Sequence, residues 1–202
     1  MSFIEKTYVK HCMNPSDINE HLPTLNKYAA ECLHVTECGV RGAVSCYALV
    51  NGIKGKEGAK MILVDLDECE AIKKFLESCE KETVKATFYK EDDLTCPMEN
   101  TDLLFIDTWH IYGHLKRELA RWHSHVKKYI ILHDTTVDGE FGESIRLGWD
   151  IVGQSKATGI PVEDIAKGLW PAVEEFLKEH PEWSLKERFT NNNGLTVLVR
   201  GI

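Results

Sequence analysis

DLLFIDTWHIYGHLKREL (residues 102–119) and YIILHDT (residues 129–135) carry the clearest pattern of strands and helices in this chain. Each contains a short apolar run that ends beside an acid, as expected for a strand buried within a parallel sheet. Between the two runs, apolar side chains recur at helical spacing, at Leu115, Leu119, Trp122 and Val126. The sequence therefore predicts a strand, a helix and a second strand, with the two strands as parallel neighbours.

Acids and histidines follow both apolar runs. Asp107 and His110 come after the first run, and His133 and Asp134 come at the end of the second. Because parallel neighbours point their carboxyl ends the same way, these four side chains are expected to gather in one crevice. Open α/β sheets bind their ligands in such a crevice, so the sequence places a candidate site there.

The rest of the chain repeats the alternation of strand and helix. Strands are predicted near residues 34–37, 61–64 and 84–89, and the last two strands, near residues 183–189 and 195–199, form a hairpin. We predict one α/β domain over residues 1–202, with a doubly wound, mostly parallel sheet and a C-terminal antiparallel hairpin.

Two further segments flank this pattern. Residues 1–33 are predicted to form a helical leader, in which Asn14–Asp17 offers a cap for the start of a helix. Residues 135–168 are glycine-rich, weakly periodic and too long for a simple connection. Because long loops in compact domains are usually functional, we expect them to form a lid or a substrate wall.

Composition excludes several functions for this 202-residue chain. Its net charge of −8 argues against a nucleic-acid partner, which needs clustered Lys and Arg. No apolar run approaches the roughly 20 residues that span a bilayer, and residues 1–12 lack the apolar core of a secretion signal. The seven cysteines form no Cys-x-x-Cys pair, so Cys38 and Cys46 are interpreted as core thiols. We expect a cytoplasmic protein without a membrane or nucleic-acid partner, and the sequence is compatible with a homodimer.

A glycine turn follows the first predicted strand, at Glu37-x-Gly39-x-x-Gly42. Glycine there allows backbone to approach a ligand, but glycine turns also close ordinary strand-helix joints. Asp65 ends the next strand, where a carboxylate can accept ribose hydroxyls, and Asp92 ends the third, where it can hold an adenine amino group. Each acid could separately be a helix cap. Together they favour an adenosine-containing cofactor.

The acid-x-Gly turn resembles the first motif of class I S-adenosylmethionine (SAM) methyltransferases. The dehydrogenase pattern Gly-x-Gly-x-x-Gly is absent, and Glu37 would repel a diphosphate but tolerate the sulfonium and amino groups of SAM. The resemblance implies a Rossmann-like methyltransferase fold with SAM as cofactor. We assign to the cofactor site Glu37, Gly39, Arg41, Gly42, Asp65, Asp92, Asp93 and Asp107.

HVTECGVRG, LLFIDTWHIYGHLKREL, YIILHDT, KGLWPAVEEFL and NNNGLTVLVR together resemble small methyltransferases of glycans and natural products. Such enzymes occur in bacterial polysaccharide pathways and in large algal viruses, which would place a viral member in the host cytoplasm. The resemblance implies a sugar or glycan acceptor, a divalent cation (Mn²⁺ or Mg²⁺) on Asp107, His133 and Asp134, and His110 as general base beside the catalytic Asp107.

Several alternatives remain open. His133 stands where the family usually has an acid or amide, so it is either a ligand that favours Mn²⁺ or a hydrogen-bond partner of Asp134. His110 could instead be a packed ring. Trp109, Tyr112 and the amides of Asn191–Asn193 would suit a sugar, although the aromatic residues could equally be core. Exposure to solvent explains three other histidines better than metal binding does: His114, His123 and His125.

Three rival functions remain open. They are methylation of a catechol-like phenol, a SAM-binding protein with a dead site, and an NAD dehydrogenase.

Overall fold

A computed structural model describes residues 1–201 as a seven-stranded sheet with helices on both faces. The strands are β1 (His34–Cys38), β2 (Lys60–Asp65), β3 (Lys85–Lys90), β4 (Thr101–Ile106), β5 (Val126–His133), β6 (Trp183–Phe189) and β7 (Leu195–Arg200). Their order is β3-β2-β1-β4-β5-β7-β6, and β7 alone among them runs opposite to the others. The predicted doubly wound, mostly parallel sheet with a C-terminal antiparallel hairpin is confirmed.

The helices alternate with the strands along the chain. They are α1 (Phe3–Met13), α2 (Leu22–Ala29), α3 (Val44–Ile53), α4 (Glu70–Lys81), α5 (Tyr112–Trp122), α6 (Glu143–Arg146), α7 (Ile151–Thr158), α8 (Val162–Ala166) and α9 (Leu169–Glu179). Within residues 1–201, none of them is long and apolar enough to cross a membrane.

The strand-helix-strand unit that the sequence predicted is β4, α5 and β5. The two strands pair in parallel, with Leu104 beside Ile130 and Ile106 beside Leu132. Helix α5 is shorter than predicted, because a 3₁₀ turn at His123–His125 ends it and Val126 already belongs to β5. The carboxyl ends of β4 and β5 therefore lie side by side, as the site requires.

Alternate residues of each central strand pack on opposite faces of the sheet. In β4, Leu103 and Phe105 face the core beneath α1 to α4, while Leu104 and Ile106 face the core beneath α5 and α9. Burial on both faces explains the uninterrupted apolar runs of the sequence. Trp122 is fully buried in the second core, and Cys38 and Cys46 are buried free thiols, as predicted.

The N-terminal segment is helical, but one boundary differs from the prediction. Asn14 ends α1, because its backbone N–H donates to the carbonyls of Lys10 and His11. Within the predicted cap it is Ser16 whose hydroxyl accepts the backbone N–H of Asn19 (3.1 Å), at the start of the next helical turn. The chain after α1 returns to the carboxyl ends of the strands, where the Asn192 amide donates to the Ser16 carbonyl (2.7 Å). The leader thus packs beside the candidate site.

Residues 135–168 contain α6, α7 and α8, so half of this segment is helix, where the sequence predicted a long glycine-rich loop. Their periodicity is weak because each helix spans only four to eight residues. A small apolar core of Ile111, Ile160 and Ile165 fixes the segment to the residues after β4. This packing brings α7 over the carboxyl ends of the strands.

Candidate active site

A cavity of about 790 Å³ lies across the carboxyl ends of β1 to β4. This volume is within the range of small-molecule sites. Six of the residues assigned to the cofactor line it: Gly39, Arg41, Asp65, Asp92, Asp93 and Asp107. From the inserted segment, Trp149, Gln154 and Thr158 form part of the opposite wall. The strand-end acids therefore open into one space.

Glu37 and Gly42 do not line this cavity. Glu37 is fully buried behind the turn, where the Ser45 hydroxyl donates a hydrogen bond to it. Burial raises the pKa of Glu37 to about 8, so the side chain is mostly protonated at neutral pH. Gly42 is exposed, and a Cβ there would meet no atom within 4 Å. Both residues shape or flank the turn, and neither faces the cavity.

Gly39 is required by a close approach between two strand ends. Its φ is +83°, and a Cβ would collide with the backbone carbonyl of Asp107. Arg41 and Ala43 also have positive φ, at 42° and 59°. Such backbone is uncommon for residues other than glycine and concentrates at functional sites. The turn thus holds the ends of β1 and β4 together at the cavity floor.

Asp65 ties β2 to the same turn. Its Oδ2 accepts the backbone N–H groups of Val40 (2.7 Å) and Arg41 (2.9 Å), and Oδ1 accepts that of Asp67 (3.0 Å). In a dinucleotide-binding turn, amides of this kind face a diphosphate. Here a carboxylate already occupies them.

Asp107, His110, His133 and Asp134 form one cluster beside the cavity, as predicted. Nε2 of His110 lies 3.1 Å from Oδ1 of Asp107, and Nδ1 of His110 lies 3.1 Å from Oδ2 of Asp134. Nδ1 of His133 lies 3.3 Å from Oδ1 of Asp107 and 3.5 Å from Oδ2 of Asp134. Asp107 belongs to both the cluster and the cavity wall.

The acids and histidines of the cluster shift one another's pKa values. Burial alone would lower the pKa of His110, but hydrogen bonds to Asp107 and Asp138 raise it to about 10. Burial would also lower the pKa of His133, but the hydrogen bond and charge of Asp107 raise it. The two histidines hold the pKa of Asp107 well below its usual range despite burial, whereas burial raises that of Asp134. The acids thus hold positive charge on the imidazoles.

The donor set fits a divalent cation. One ligand atom each from Asp107, His133 and Asp134 lie within 4.8 Å of one another, and Oδ1 of Asp134 is buried without a hydrogen-bond partner. Nε2 of His133 lies 3.1 Å from the Asp17 carbonyl. A ligating histidine usually bonds a carbonyl or carboxylate through its other nitrogen, so this contact leaves Nδ1 to face a cation.

Asp138 is a member of the cluster that sequence reasoning missed. It is fully buried, and its Oδ2 lies 3.4 Å from Nδ1 of His110. Arg146 of α6 holds both carboxylate oxygens, at 2.6 and 2.9 Å. The spacing Asp138-x₇-Arg146 could have suggested such a pair only if the segment had been recognised as helical.

The residues expected to face a sugar separate in the structure. Trp109 lines the cavity, and its indole N–H donates to Ser144 (3.1 Å). Tyr112 is buried away from the cavity, where its hydroxyl donates to Glu175 (2.7 Å). The hairpin asparagines instead bind the leader and the start of the insertion, through Asn191, Asn192 and Asn193.

His114 was expected to be solvated, and this expectation is wrong. Its side chain is only 12% exposed and faces the cavity. Helix α5 turns it toward Asp93, with Glu118 one turn further along the same face. The His-x-x-x-Glu spacing on a predicted helix was the available signal.

No protein-family model matches the sequence, and no curated protein matches it. Solved structures do match. An O-methyltransferase from Bacillus cereus, in complex with S-adenosylhomocysteine (SAH), is 14% identical with a TM-score of 0.63, covering 98% of this chain and 90% of that one. A putative caffeoyl-CoA O-methyltransferase from Staphylococcus aureus is also 14% identical, with a TM-score of 0.63 and coverage of 100% and 93%. TomG from Streptomyces achromogenes, an O-methyltransferase in complex with SAM, is 10% identical with a TM-score of 0.58 and coverage of 98% and 89%. The chain therefore has the Rossmann-like fold of class I methyltransferases.

Proposed function

We propose that this chain is a SAM-dependent O-methyltransferase that methylates a sugar hydroxyl, free or within a glycan, with the help of a divalent cation. One observation carries the proposal: Asp107 is both a wall of the acid-lined cavity and a member of the acid-histidine cluster. A cofactor in the cavity and an acceptor at the cluster would therefore meet at this carboxylate.

The cavity fits SAM better than NAD. Asp65, Asp92, Asp93 and Asp107 make its floor acidic, which suits the sulfonium and ammonium charges of SAM and disfavours a diphosphate. Asp65 also occupies the turn amides that a diphosphate would need. In this proposal Gly39, Asp65 and Asp92 hold the cofactor, which when bound supplies an electrophilic methyl group.

The cluster fits a cation with oxygen and nitrogen ligands. Asp107 and Asp134 offer carboxylates and His133 offers Nδ1, a donor set that favours Mn²⁺ over Mg²⁺. When bound, the cation would lower the pKa of a hydroxyl that it contacts. The buried, unpartnered Oδ1 of Asp134 supports a ligand at this point.

His110 is the proposed general base. Asp107 and Asp138 orient its ring from opposite sides, at 3.1 and 3.4 Å. These carboxylates also raise its pKa to about 10, so without a cation the ring already holds a proton. A cation that neutralises the carboxylates would lower this pKa, and the ring would release its proton to solvent before it can act as a base. His110 would then take the proton of the acceptor hydroxyl at a ring nitrogen.

Two tryptophans and an amide support a sugar acceptor. Trp109, Trp149 and Gln154 line the cavity, and aromatic faces cover the CH groups of a sugar while amides satisfy its hydroxyls. The same tryptophans would also flank an aromatic ring, and both classes present adjacent hydroxyls to the cluster. A catechol-like phenol is therefore the second candidate.

Transfer of an isotope-labelled methyl group from SAM tests the proposal. The protein, with Mn²⁺, is incubated with monosaccharides, glycans and catechols, and products are identified by mass spectrometry. Labelled methyl ethers of sugars are expected. Labelled catechols alone would favour the second candidate, and SAM binding without any product would indicate a dead site. Asp107→Asn should abolish transfer, whereas Asp164→Asn, in a surface ion pair with Lys167, serves as the matched control.

A further inference from the structure

A second polar cluster, to which the proposed methyl transfer assigns no step, lies on the α5 side of the cavity. It consists of Asp93, which follows β3, and of His114 and Glu118 on α5. Nε2 of His114 lies 3.3 Å from Oδ1 of Asp93 and 3.8 Å from Oε1 of Glu118. Asp93 and His114 line the cavity, and Glu118 lies behind them.

The carboxyl groups of Glu118 and Asp93 are buried neighbours whose pKa values shift in opposite directions. Glu118 is 1% exposed, and its Oε1 accepts the Thr108 hydroxyl (2.7 Å). Oε2 of Glu118 and Oδ2 of Asp93 are both buried, and within residues 1–201 neither oxygen meets a donor. Burial and then the charge of Asp93 raise the pKa of Glu118 well above its usual range. A protonated Glu118 can therefore donate a hydrogen bond to the Asp93 carboxylate.

This arrangement sets the hydrogen-bonding role of His114. Nε2 of His114 faces Oδ1 of Asp93, and a carboxylate can only accept, so the ring proton belongs on Nε2. In the neutral imidazole the other nitrogen, Nδ1, is then an acceptor. No hydrogen bond within residues 1–201 uses Nδ1 of His114, although the side chain faces the cavity.

The location of the cluster indicates which part of a ligand it would meet. The proposed acceptor lies at Asp107 and His110, beyond β4. Asp93 follows β3, which lies next to β2 in the sheet, and His114 meets it from α5. If the ribose of the cofactor lies at Asp65, at the end of β2, the nucleoside base extends toward Asp93 and His114.

Resting on the proposed function, we propose that His114 is a specificity-determining residue for the cofactor. Its Nδ1 accepts a hydrogen bond from the 6-amino group of adenine, while Asp93 and Glu118 position the ring. A 6-oxo purine presents an acceptor instead and leaves Nδ1 unpaired. The site therefore selects a 6-aminopurine nucleoside.

Calorimetry with SAH and with S-inosylhomocysteine, its 6-oxo analogue, tests this selection. We expect wild-type protein to prefer SAH by about ten-fold or more, the value of one hydrogen bond in a buried site. His114→Phe, which keeps a flat ring without nitrogen, should lose the preference. Glu118→Gln keeps a neutral donor to Asp93 and should retain it. His125→Ala, outside the cavity, is the matched control.

The ¹⁵N spectrum of the imidazoles gives a measurement that does not depend on the folding of a variant. SAH should shift the Nδ1 resonance of His114 in wild-type protein, and the 6-oxo analogue should not. Equal affinity for both ligands, a preference that survives in His114→Phe, or an unmoved Nδ1 resonance overturns the proposal. Wild-type protein that does not bind SAH would instead overturn the proposed function, and this inference with it.

Discussion

Oδ1 of Asp107 lies 3.1 Å from Nε2 of His110, while the Asp107 carboxylate also forms part of the cavity wall. His110 itself does not line the cavity. The two residues should therefore differ when replaced. Loss of Asp107 should disturb cofactor, cation and base together, whereas loss of His110 should disturb the chemistry alone.

His110→Ala is expected to lower kcat by about 10²–10⁴-fold, the usual contribution of a general base. The Kd for SAH should stay unchanged, because His110 has no surface in the cavity. Steady-state kinetics with the acceptor found in the labelling experiment, and calorimetry with SAH, measure the two quantities. A variant with near-normal kcat would leave His110 as a packing residue.

Mn²⁺ should bind to the cluster without SAM. Electron paramagnetic resonance titration measures free Mn²⁺, and Asp134→Asn or His133→Ala should each weaken binding by at least about ten-fold. Asp164→Asn should bind Mn²⁺ like the wild type. Equal binding by His133→Ala and wild type would make His133 a hydrogen-bond partner and not a ligand.

Gly39→Ala should strongly destabilise the fold. The positive φ and the collision with the Asp107 carbonyl should together cost about 3–5 kcal/mol of unfolding free energy. Gly55 has a similar φ of +76° with no atom near its missing Cβ, so Gly55→Ala should cost only about 1–2 kcal/mol. Urea unfolding compares the two. Equal losses would show that β1 and β4 do not approach each other as described.

Glu37 should make stability depend on pH. Its pKa is about 8 in the folded protein against an ordinary value of 4.5, so the folded state binds the extra proton between these values. The contribution of this proton to the unfolding free energy is fully present below pH 4.5, the pKa of the unfolded state. It is lost as pH rises through about 8, the pKa of the folded state. Between about pH 5 and pH 8, Glu37→Gln should gain roughly 3 kcal/mol relative to wild type. A difference that does not change with pH would contradict the buried, neutral carboxyl.

Much of the fold follows from local sequence. The apolar runs that end at Asp65, Asp107 and His133 predict the strands, and parallel pairing then brings their ends together. Helices α6 to α8 escape prediction because four to eight residues hold too little periodicity to detect. Their structure depends on tertiary packing around Ile160 and Ile165.

The site residues that directly follow strands could be predicted from the sequence. Those whose place depends on how a helix or a turn is oriented could not. Asp107 and Asp134 fall where parallel pairing requires. The meeting of His114 with Asp93 depends on how α5 packs and rotates about its axis, which a helix prediction does not give. The contact of Asp138 with His110 depends on the turns after β5, which the sequence did not reveal.

Calorimetric titration of the wild-type protein with SAH and with NAD, in chelator, distinguishes a SAM site from a dinucleotide site. The acid-lined cavity and the occupied turn amides predict one SAH site that needs no metal, and no detectable NAD binding. Asp65→Ala should weaken the SAH site by roughly 1–3 kcal/mol, as for hydrogen bonds to a charged group. Binding of NAD in place of SAH would contradict the assignment of this cavity to SAM.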